Sequence, residues 1–150
     1  MVTIRAAEDG DAAEITEVLN TEFENEDSDF FRKYSNTEEK ILKDMKRCKY
    51  YVAVDGDRIV GAISLLLGDI TCRIDDMAVR KGSQRRGIGK ELVRFAENLA
   101  GEHGCSIIWC TTSKRLDASG FYLKMGFTAS ELLPRHFEGR DLIKLEKSLI

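Results

Sequence analysis

Hydrophobic and polar positions in this chain fall into short blocks whose period switches at acidic, glycine-bearing breaks. Val2 to Ala6 reads as a strand. Ile15, Val18, Leu19 and Phe23 then recur at helical spacing behind Asp9 and Asp11, acids suited to the positive end of a helix. Thr37 to Arg47, with Ile41, Leu42 and Met45, predicts a second amphipathic helix. Tyr50 to Val54 and Arg58 to Leu67 read as two strands joined by Asp55-Gly56-Asp57, a hairpin signal. Ile70 to Val79 is the next strand. Ile88, Leu92, Phe95, Ala96 and Leu99 form the apolar stripe of a helix that stops near Gly104, a residue suited to a helix C-terminus. Ser106 to Cys110 reads as a short buried strand, Asp117 caps a helix through Met125, and Phe127 to Leu133 with Leu142 to Leu145 close the pattern as a pair of strands. Strands and helices alternate without a strict βαβ rhythm, so the expected fold is α/β in the α+β sense, a mixed sheet with helices on both faces.

Length and charge narrow the function classes. A chain of 150 residues fits one domain with a sizeable core. A formal net charge of −3 gives no basic character, so nucleic acid is not the expected partner and a small or peptidic substrate is. No apolar run is long enough to cross a membrane, and Met1 to Arg5 lacks the apolar core of a signal peptide, so a cytoplasmic protein is expected. Cys48, Cys72, Cys105 and Cys110 lack C-x-x-C spacing, and His103 and His136 complete no ligand set. Cys72, Cys105 and Cys110, in or beside apolar strand-like runs, read as reduced, buried, small hydrophobes, and no metal is expected.

The candidate chemistry lies at the junction of the central strand and the helix that follows it. Gln84-Arg85-Arg86-Gly87-Ile88-Gly89 joins the run Ile74 to Val79 to the helix beginning at Ile88. A strand that turns through glycines into a helix leaves unpaired N–H groups at the positive end of the helix dipole, a receptor for phosphate. Gly87 and Gly89 keep side chains out of the way, and Arg85, Arg86 and Lys90 add positive charge. Two better-known phosphate motifs fail here. Gly82 and Gly87 have P-loop spacing, but Ile88 stands in place of the lysine and no Ser or Thr follows it. Gly87 and Gly89 are followed by Leu92, where a dinucleotide fingerprint needs glycine. A glycine pair before a helix also serves ordinary turn geometry.

About thirty residues on comes Ala118-Ser119-Gly120-Phe121-Tyr122-Leu123-Lys124-Met125-Gly126-Phe127. The order Gln-x-x-Gly-x-Gly, short strand, Ala-x-x-Phe-Tyr-x-Lys-x-Gly-Phe resembles the two central motifs of the GNAT N-acetyltransferase superfamily. Asp75-Asp76-Met77-Ala78-Val79 is similar to the strand that precedes the pyrophosphate loop in that family. The resemblance implies a GNAT-like, mostly antiparallel twisted sheet and transfer of acetyl from acetyl-CoA to a primary amine of a small molecule or peptide. It implies that Gln84, Arg85, Arg86, Gly87, Ile88, Gly89 and Lys90 hold the cofactor, that the backbone of Met77, Ala78 and Val79 pairs with the pantetheine arm and polarises the acetyl carbonyl, and that Tyr122 is the acid. Arg115 departs from the pattern: many members have asparagine seven residues before the motif tyrosine. A cation there faces phosphate or substrate, or else lies exposed in a polar loop after Thr111-Thr112-Ser113-Lys114.

Acetyl transfer to an amine makes three chemical demands. An alkylamine is about 99.9% protonated at neutral pH, so presenting it as a nucleophile costs about 4 kcal/mol and needs a base. Attack on the thioester places negative charge on the carbonyl oxygen, and the departing thiolate is released more easily when protonated. For the base the candidates are Asp75 and Asp76. Strand alternation sends them to opposite faces unless a bulge intervenes, and Asp75 shares the face of Met77 and Val79. Both also read as ordinary strand acids, and Tyr122 also reads as a core aromatic. Glu22, Glu24, Glu26, Asp27 and Asp29, interleaved with Phe23, Phe30, Phe31 and Tyr34, form an acidic segment that attracts a cationic amine or simply faces water. His136 reads as an exposed loop residue. The alternative to an enzyme is a non-catalytic acyl-CoA-binding sensor that uses Tyr122 only for packing. A homodimer is compatible with either.

Overall fold

The computed structural model describes residues 1–23, 32–113, 118–137 and 139–150, which leaves the acidic stretch 24–31 and Arg115 outside the described residues. Seven strands hydrogen-bond in the order β1-β2-β3-β4-β5-β7-β6. They are β1 (Val2–Ala6), β2 (Lys49–Asp55), β3 (Arg58–Leu67), β4 (Thr71–Val79), β5 (Ile107–Ser113), β6 (Thr128–Phe137) and β7 (Arg140–Ser148). The α-helices are α1 (Ala12–Leu19), α2 (Glu38–Asp44), α3 (Ile88–Glu102) and α4 (Ala118–Lys124). Packing divides the chain into two compact units, Met1–Leu66 with Asp75–Ala96, and Leu67–Ile74 with Glu97–Ile150.

In the first unit β1 pairs antiparallel with β2, from Val2↔Asp55 to Ala6↔Tyr51, and β2 pairs antiparallel with β3 through the expected hairpin. Tyr50, Val52, Ile59, Ala62 and Ala78 pack against Ala12, Ile15, Val18, Leu19 and Ile41 of α1 and α2. Side chains alternate along a strand, so Tyr51 and Ala53 point the other way, and there they meet α3. The rings of Tyr51 and Phe95 lie 4.8 Å apart. This unit therefore carries helices on both sides of its strands. Arg80 ties α1 to the strand ends: its guanidinium donates to the Ile59 carbonyl at 3.0 Å and to Glu17 at 3.2 Å, while Glu14 accepts the Ile59 N–H at 3.0 Å.

In the second unit β5 runs parallel to β4, pairing Thr71–Arg73 with Ile107–Trp109, and antiparallel to β7 from Ile107↔Ser148 to Ser113↔Leu142. β6 pairs with β7 as the outer strand and loses register between Leu133 and Phe137. The only proline of the chain, Pro134, lies in that irregular stretch. Beside it Arg135 has a φ of 52°, and its N–H is held by the Asp141 carboxylate at 3.0 Å.

Element boundaries differ from the periodic reading where a local bond overrides the pattern. The first helix ends at Leu19 and tightens into a 3-10 turn over Asn20–Phe23, so Phe23 leaves the α-helical stripe. The second is shorter than the run from Thr37, because the Thr37 hydroxyl caps it by accepting the Lys40 N–H at 3.2 Å. β5 continues past Cys110 to Ser113, which makes Thr111, Thr112 and Ser113 strand residues paired with β7 rather than a loop. His136 is exposed, but in β6 rather than a loop.

Gly61 sets how closely α3 approaches the strands. A Cβ built there would lie 3.0 Å from Leu92 Cδ1, 3.1 Å from Ile88 Cγ2 and 3.4 Å from the Ala53 methyl. Gly61→Val is expected to destabilise the protein by about 1–3 kcal/mol through overpacking. Gly61→Ala adds one methyl against Leu92 and the stiff, β-branched Ile88 and should cost less than the bulkier valine. Urea unfolding checks the order, and equal midpoints for Gly61→Val and the parent would contradict it.

Candidate functional site

The turn between β4 and α3 is built by its own backbone bonds. The Gln84 side-chain amide donates to the Val79 carbonyl at 3.1 Å, and the Ser83 N–H bonds the Arg80 carbonyl at 2.8 Å, closing a 3-10 turn over Lys81–Ser83. Arg85 and Gly87 then take left-handed conformations, with φ of 67° and 77°. α3 begins where the Glu91 N–H bonds the Gly87 carbonyl at 3.0 Å. The preceding N–H groups of that first turn have no carbonyl one turn earlier to bond. Ile88 is buried and anchors the turn, while Gly87 is exposed and a Cβ on it would meet no atom within 4 Å.

Of the three cations expected here, Arg85 and Lys90 are exposed beside the helix start. Arg86 is engaged elsewhere: its guanidinium bonds Asp55 at 3.0 Å. The carboxylate it meets also draws the N-terminal ammonium to 3.8 Å. Arg86 thus ties the turn to the β2–β3 hairpin.

β4 breaks its own alternation just before this turn. Cys72 and Ile74 are buried, Asp75, Asp76 and Met77 are all half-buried, and Ala78 is buried again. The hydrogen bonds at the ends of the ladder give the reason. Gly68 N–H bonds the Thr71 carbonyl at 2.9 Å and Arg80 N–H bonds the Val60 carbonyl at 2.7 Å. Eight residue steps along β3 therefore face nine along β4, which is the signature of a bulge. The Asp76 N–H donates to the buried Ser64 hydroxyl at 3.0 Å. Asp75 and Asp76, expected on opposite faces by simple alternation, line one cleft instead.

That cleft, of about 470 Å³, lies between the bulge, the C-terminal end of α2 and the start of β2. Its polar groups form a chain. Tyr50 donates to Asp44 at 2.6 Å, Arg47 Nε donates to the other oxygen of Asp44 at 2.7 Å, and Arg47 reaches Asp75 at 3.4 Å. Burial, reinforced by the bond to Asp44, raises the Tyr50 phenol well above its ordinary pKa, so it serves as a donor; Ser64 bonds it from the strand opposite. Cys48 brings its sulfur within 4.8 Å of Asp44 and Asp75 oxygens. Burial pushes that thiol up to about 11, and Tyr50 and Arg47 already occupy the carboxylates, so the trio is not a ready ligand set at neutral pH.

In the second unit, α4 turns Tyr122 inward. It is 5% exposed, with Phe121 edge-on at 5.1 Å and Phe127 at 5.2 Å, and its hydroxyl bonds the buried Cys110 thiol. Burial pushes Cys110 up to about 12, the tyrosine opposing the shift. Gly126, at a φ of 94°, ends the helix, and the Phe127 N–H returns to the Tyr122 carbonyl at 3.0 Å. The glycine and second phenylalanine of the motif are thus what fold the chain back onto the tyrosine.

The structure brings Asp75 and Asp76 together beside Met77, Ala78 and Val79 and places Gln84–Lys90 directly after them. The cleft residues Asp44, Arg47 and Tyr50, and Ser64 behind them, were not singled out by sequence. Asp44 and Arg47 look like ordinary surface charges at a helix end, and Tyr50 and Ser64 belong to apolar strand runs, so only their register with the bulge identifies them.

The family model that matches residues 12–127 is the acetyltransferase (GNAT) family. A tRNA(Met) cytidine acetyltransferase from Aeropyrum pernix is 38% identical over 84 residues, covering 55% of this chain and 12% of that protein. The chain spans half or less of the length of the curated relatives it matches. Among solved structures, Ard1 from Thermoplasma volcanium superposes with a TM-score of 0.86 at 20% identity, covering 99% of this chain and 98% of that one. The PaiA N-acetyltransferase from Thermoplasma acidophilum, in complex with coenzyme A, gives 0.82 at 16% identity, covering 96% and 98%. These two likenesses concern the fold. Because the family model spans most of the chain and includes the bulged strand, the glycine turn and the aromatic helix, this chain belongs to the GNAT acetyltransferase family.

Proposed function

We propose that the protein is an acetyl-CoA-dependent N-acetyltransferase acting on a primary amine by direct attack. The observation that carries this reading is the bulge that turns both Asp75 and Asp76 into one cleft, on the strand that runs into an open, glycine-bearing helix start. The coenzyme-A-bound PaiA relative in fold supports the choice of cosubstrate.

In this reading the first-turn N–H groups of α3, with Gln84, Arg85, Gly87, Ile88, Gly89 and Lys90 around them, hold the pyrophosphate. Gly87 is open on the side a phosphate would approach. Arg86 contributes by fixing the turn to Asp55, and Arg115 is kept as a cation toward phosphate. The pantetheine arm pairs with the backbone of Met77, Ala78 and Val79. Acetyl-CoA supplies an acetyl group activated as a thioester. Asp75 or Asp76 takes a proton from the ammonium, a β4 N–H steadies the carbonyl oxygen, and Tyr122 gives its proton to the departing sulfur.

The second reading, a non-catalytic acyl-CoA sensor, is favoured by one feature, the burial of Tyr122 among Phe121, Phe127 and Cys110. One measurement tests the cofactor assignment that both readings share, and a second separates them. Coenzyme A at one hundred times its dissociation constant should stabilise the fold by about 2.7 kcal/mol, seen as a rise in melting temperature. Gly87→Val should remove that rise and cost about 1–2 kcal/mol of stability by itself, since a branched side chain is placed at positive φ. No shift at millimolar coenzyme A would sink the cofactor assignment. Tyr122→Phe keeps the ring packing and should lower turnover by roughly ten- to a thousandfold while coenzyme A affinity stays the same. An unchanged rate would remove Tyr122 from the mechanism, and tight coenzyme A binding without turnover of any amine would favour the sensor.

A further inference from the structure

The cleft beside Asp75 and Asp76 carries both signs of charge, sorted by element. β4 supplies the two carboxylates, while α2 and the turn after it supply Lys40, Lys43 and Arg47. Spacings of three and four residues place this basic stripe along one side of the helical segment. Asp44 does not change the balance, because Tyr50 and Arg47 already hold both of its oxygens, at 2.6 and 2.7 Å.

The cations differ in how firmly they are engaged. Lys40 donates to the Ser35 carbonyl at 3.0 Å. Lys43 is exposed on the cleft wall and forms no ion pair among the described residues. Arg47 is anchored at Asp44 but touches Asp75 only at 3.4 Å, longer than the roughly 2.7–2.9 Å of a strong charge-assisted bond. An incoming ammonium can displace that outer contact without detaching Arg47 from Asp44. The guanidinium edge that leaves Asp75 then lines the same cleft as Lys43, with no other carboxylate partner among the described residues.

On the reading that this cleft receives the acceptor, we propose that the acceptor is an amine that also carries a carboxylate. Its ammonium sits at Asp75 and Asp76 and its carboxylate at Lys43 and Arg47. A diamine would set its second charge against the basic stripe, and a simple monoamine would bring no negative group to Lys43. A volume of about 470 Å³ fits a free amino acid or a short peptide end. The carboxylate is either that of a free amino acid or one borne by a peptide near its amino end.

Initial rates of thiol release from acetyl-CoA test this with matched pairs: glycine against glycinamide, γ-aminobutyrate against butylamine, and the capped dipeptide glycyl-glutamate amide against glycyl-glutamine amide, with putrescine as the diamine. The carboxylate member of at least one pair should have a kcat/KM about tenfold higher than its neutral counterpart, and the pair that shows it distinguishes free acid from peptide. Lys43→Gln, and more fully Lys43→Gln with Arg47→Gln, should erase the preference through KM while the neutral member is unaffected by Lys43→Gln. Preference for putrescine or for the neutral members, or a preference that survives the double substitution, overturns the proposal. Calorimetric titration of the same amines into the coenzyme A-loaded protein gives a readout independent of turnover. Lys43-dependent binding of carboxylate-bearing amines without acetylation upholds this proposal and counts against the enzyme. Acetylation of neutral amines or diamines alone upholds the enzyme and overturns this proposal. Neither binding nor acetylation of any carboxylate-bearing amine also overturns it.

Discussion

The hydrogen bond from the Asp76 N–H to the Ser64 hydroxyl holds a strand in which nine residue steps run beside eight. A slip of one residue moves every side chain beyond it to the other face, so this extra residue decides what Asp75, Asp76, Met77 and Val79 can reach. Ser64 is fully buried and faces Tyr50 across β2 and β3. The Tyr50 phenol continues the chain to Asp44, and Asp44 to Arg47. A buried donor that loses its partner costs about 1–3 kcal/mol, more than the net gain of a typical hydrogen bond, so the chain resists partial occupation. The geometry of the cleft follows from a set of bonds that hold or fail together.

Local spacing and non-local register contributed differently to what the amino-acid order reveals. Spacing carried the strand–glycine turn–helix unit, since Gln84, Gly87 and Ile88 each act within their own segment. Gln84 pins the turn to Val79, Gly87 takes a positive φ, and Ile88 buries the first helical turn. Gly126 and Phe127, which entered through the family resemblance, turn out to act locally as well: they end a helix and return the chain to Tyr122. The bulge was hidden because it belongs to no single segment. It arises from the mismatch in length between β3 and β4, and neither strand alone records it. The basic residues of α2 and the turn after it were equally hidden, for nothing in the spacing of Lys40, Lys43 and Arg47 announces the cleft that sets them beside β4.

The same distinction explains the altered boundaries. β5 runs on to Ser113 because β7 supplies ladder partners as far as Leu142, a non-local reward that a polar Thr-Thr-Ser sequence does not announce. Thr37 caps α2 through its own hydroxyl, and the helix begins after it, although the periodic run includes it. Tertiary pairing lengthened one element and a side-chain bond shortened another. In neither case did the apolar pattern itself mislead about which residues are buried.

The outer strand β6 has a bearing on which strands could lie against the end of the strand order. An edge strand offers free N–H and carbonyl groups to any strand that can lie flat against it. Here Pro134 supplies no N–H, Arg135 turns through a positive φ, and Asp141 takes up the N–H that Arg135 would have offered. Regular pairing with β7 accordingly lapses between Leu133 and Phe137. The straight portion left for a neighbour is only Thr128 to Leu133, itself interrupted near Ser130 by a second register shift. A regular strand-to-strand template along β6 is thereby cut down to that short stretch, and any partner strand laid on this edge must end or bend where the kink begins.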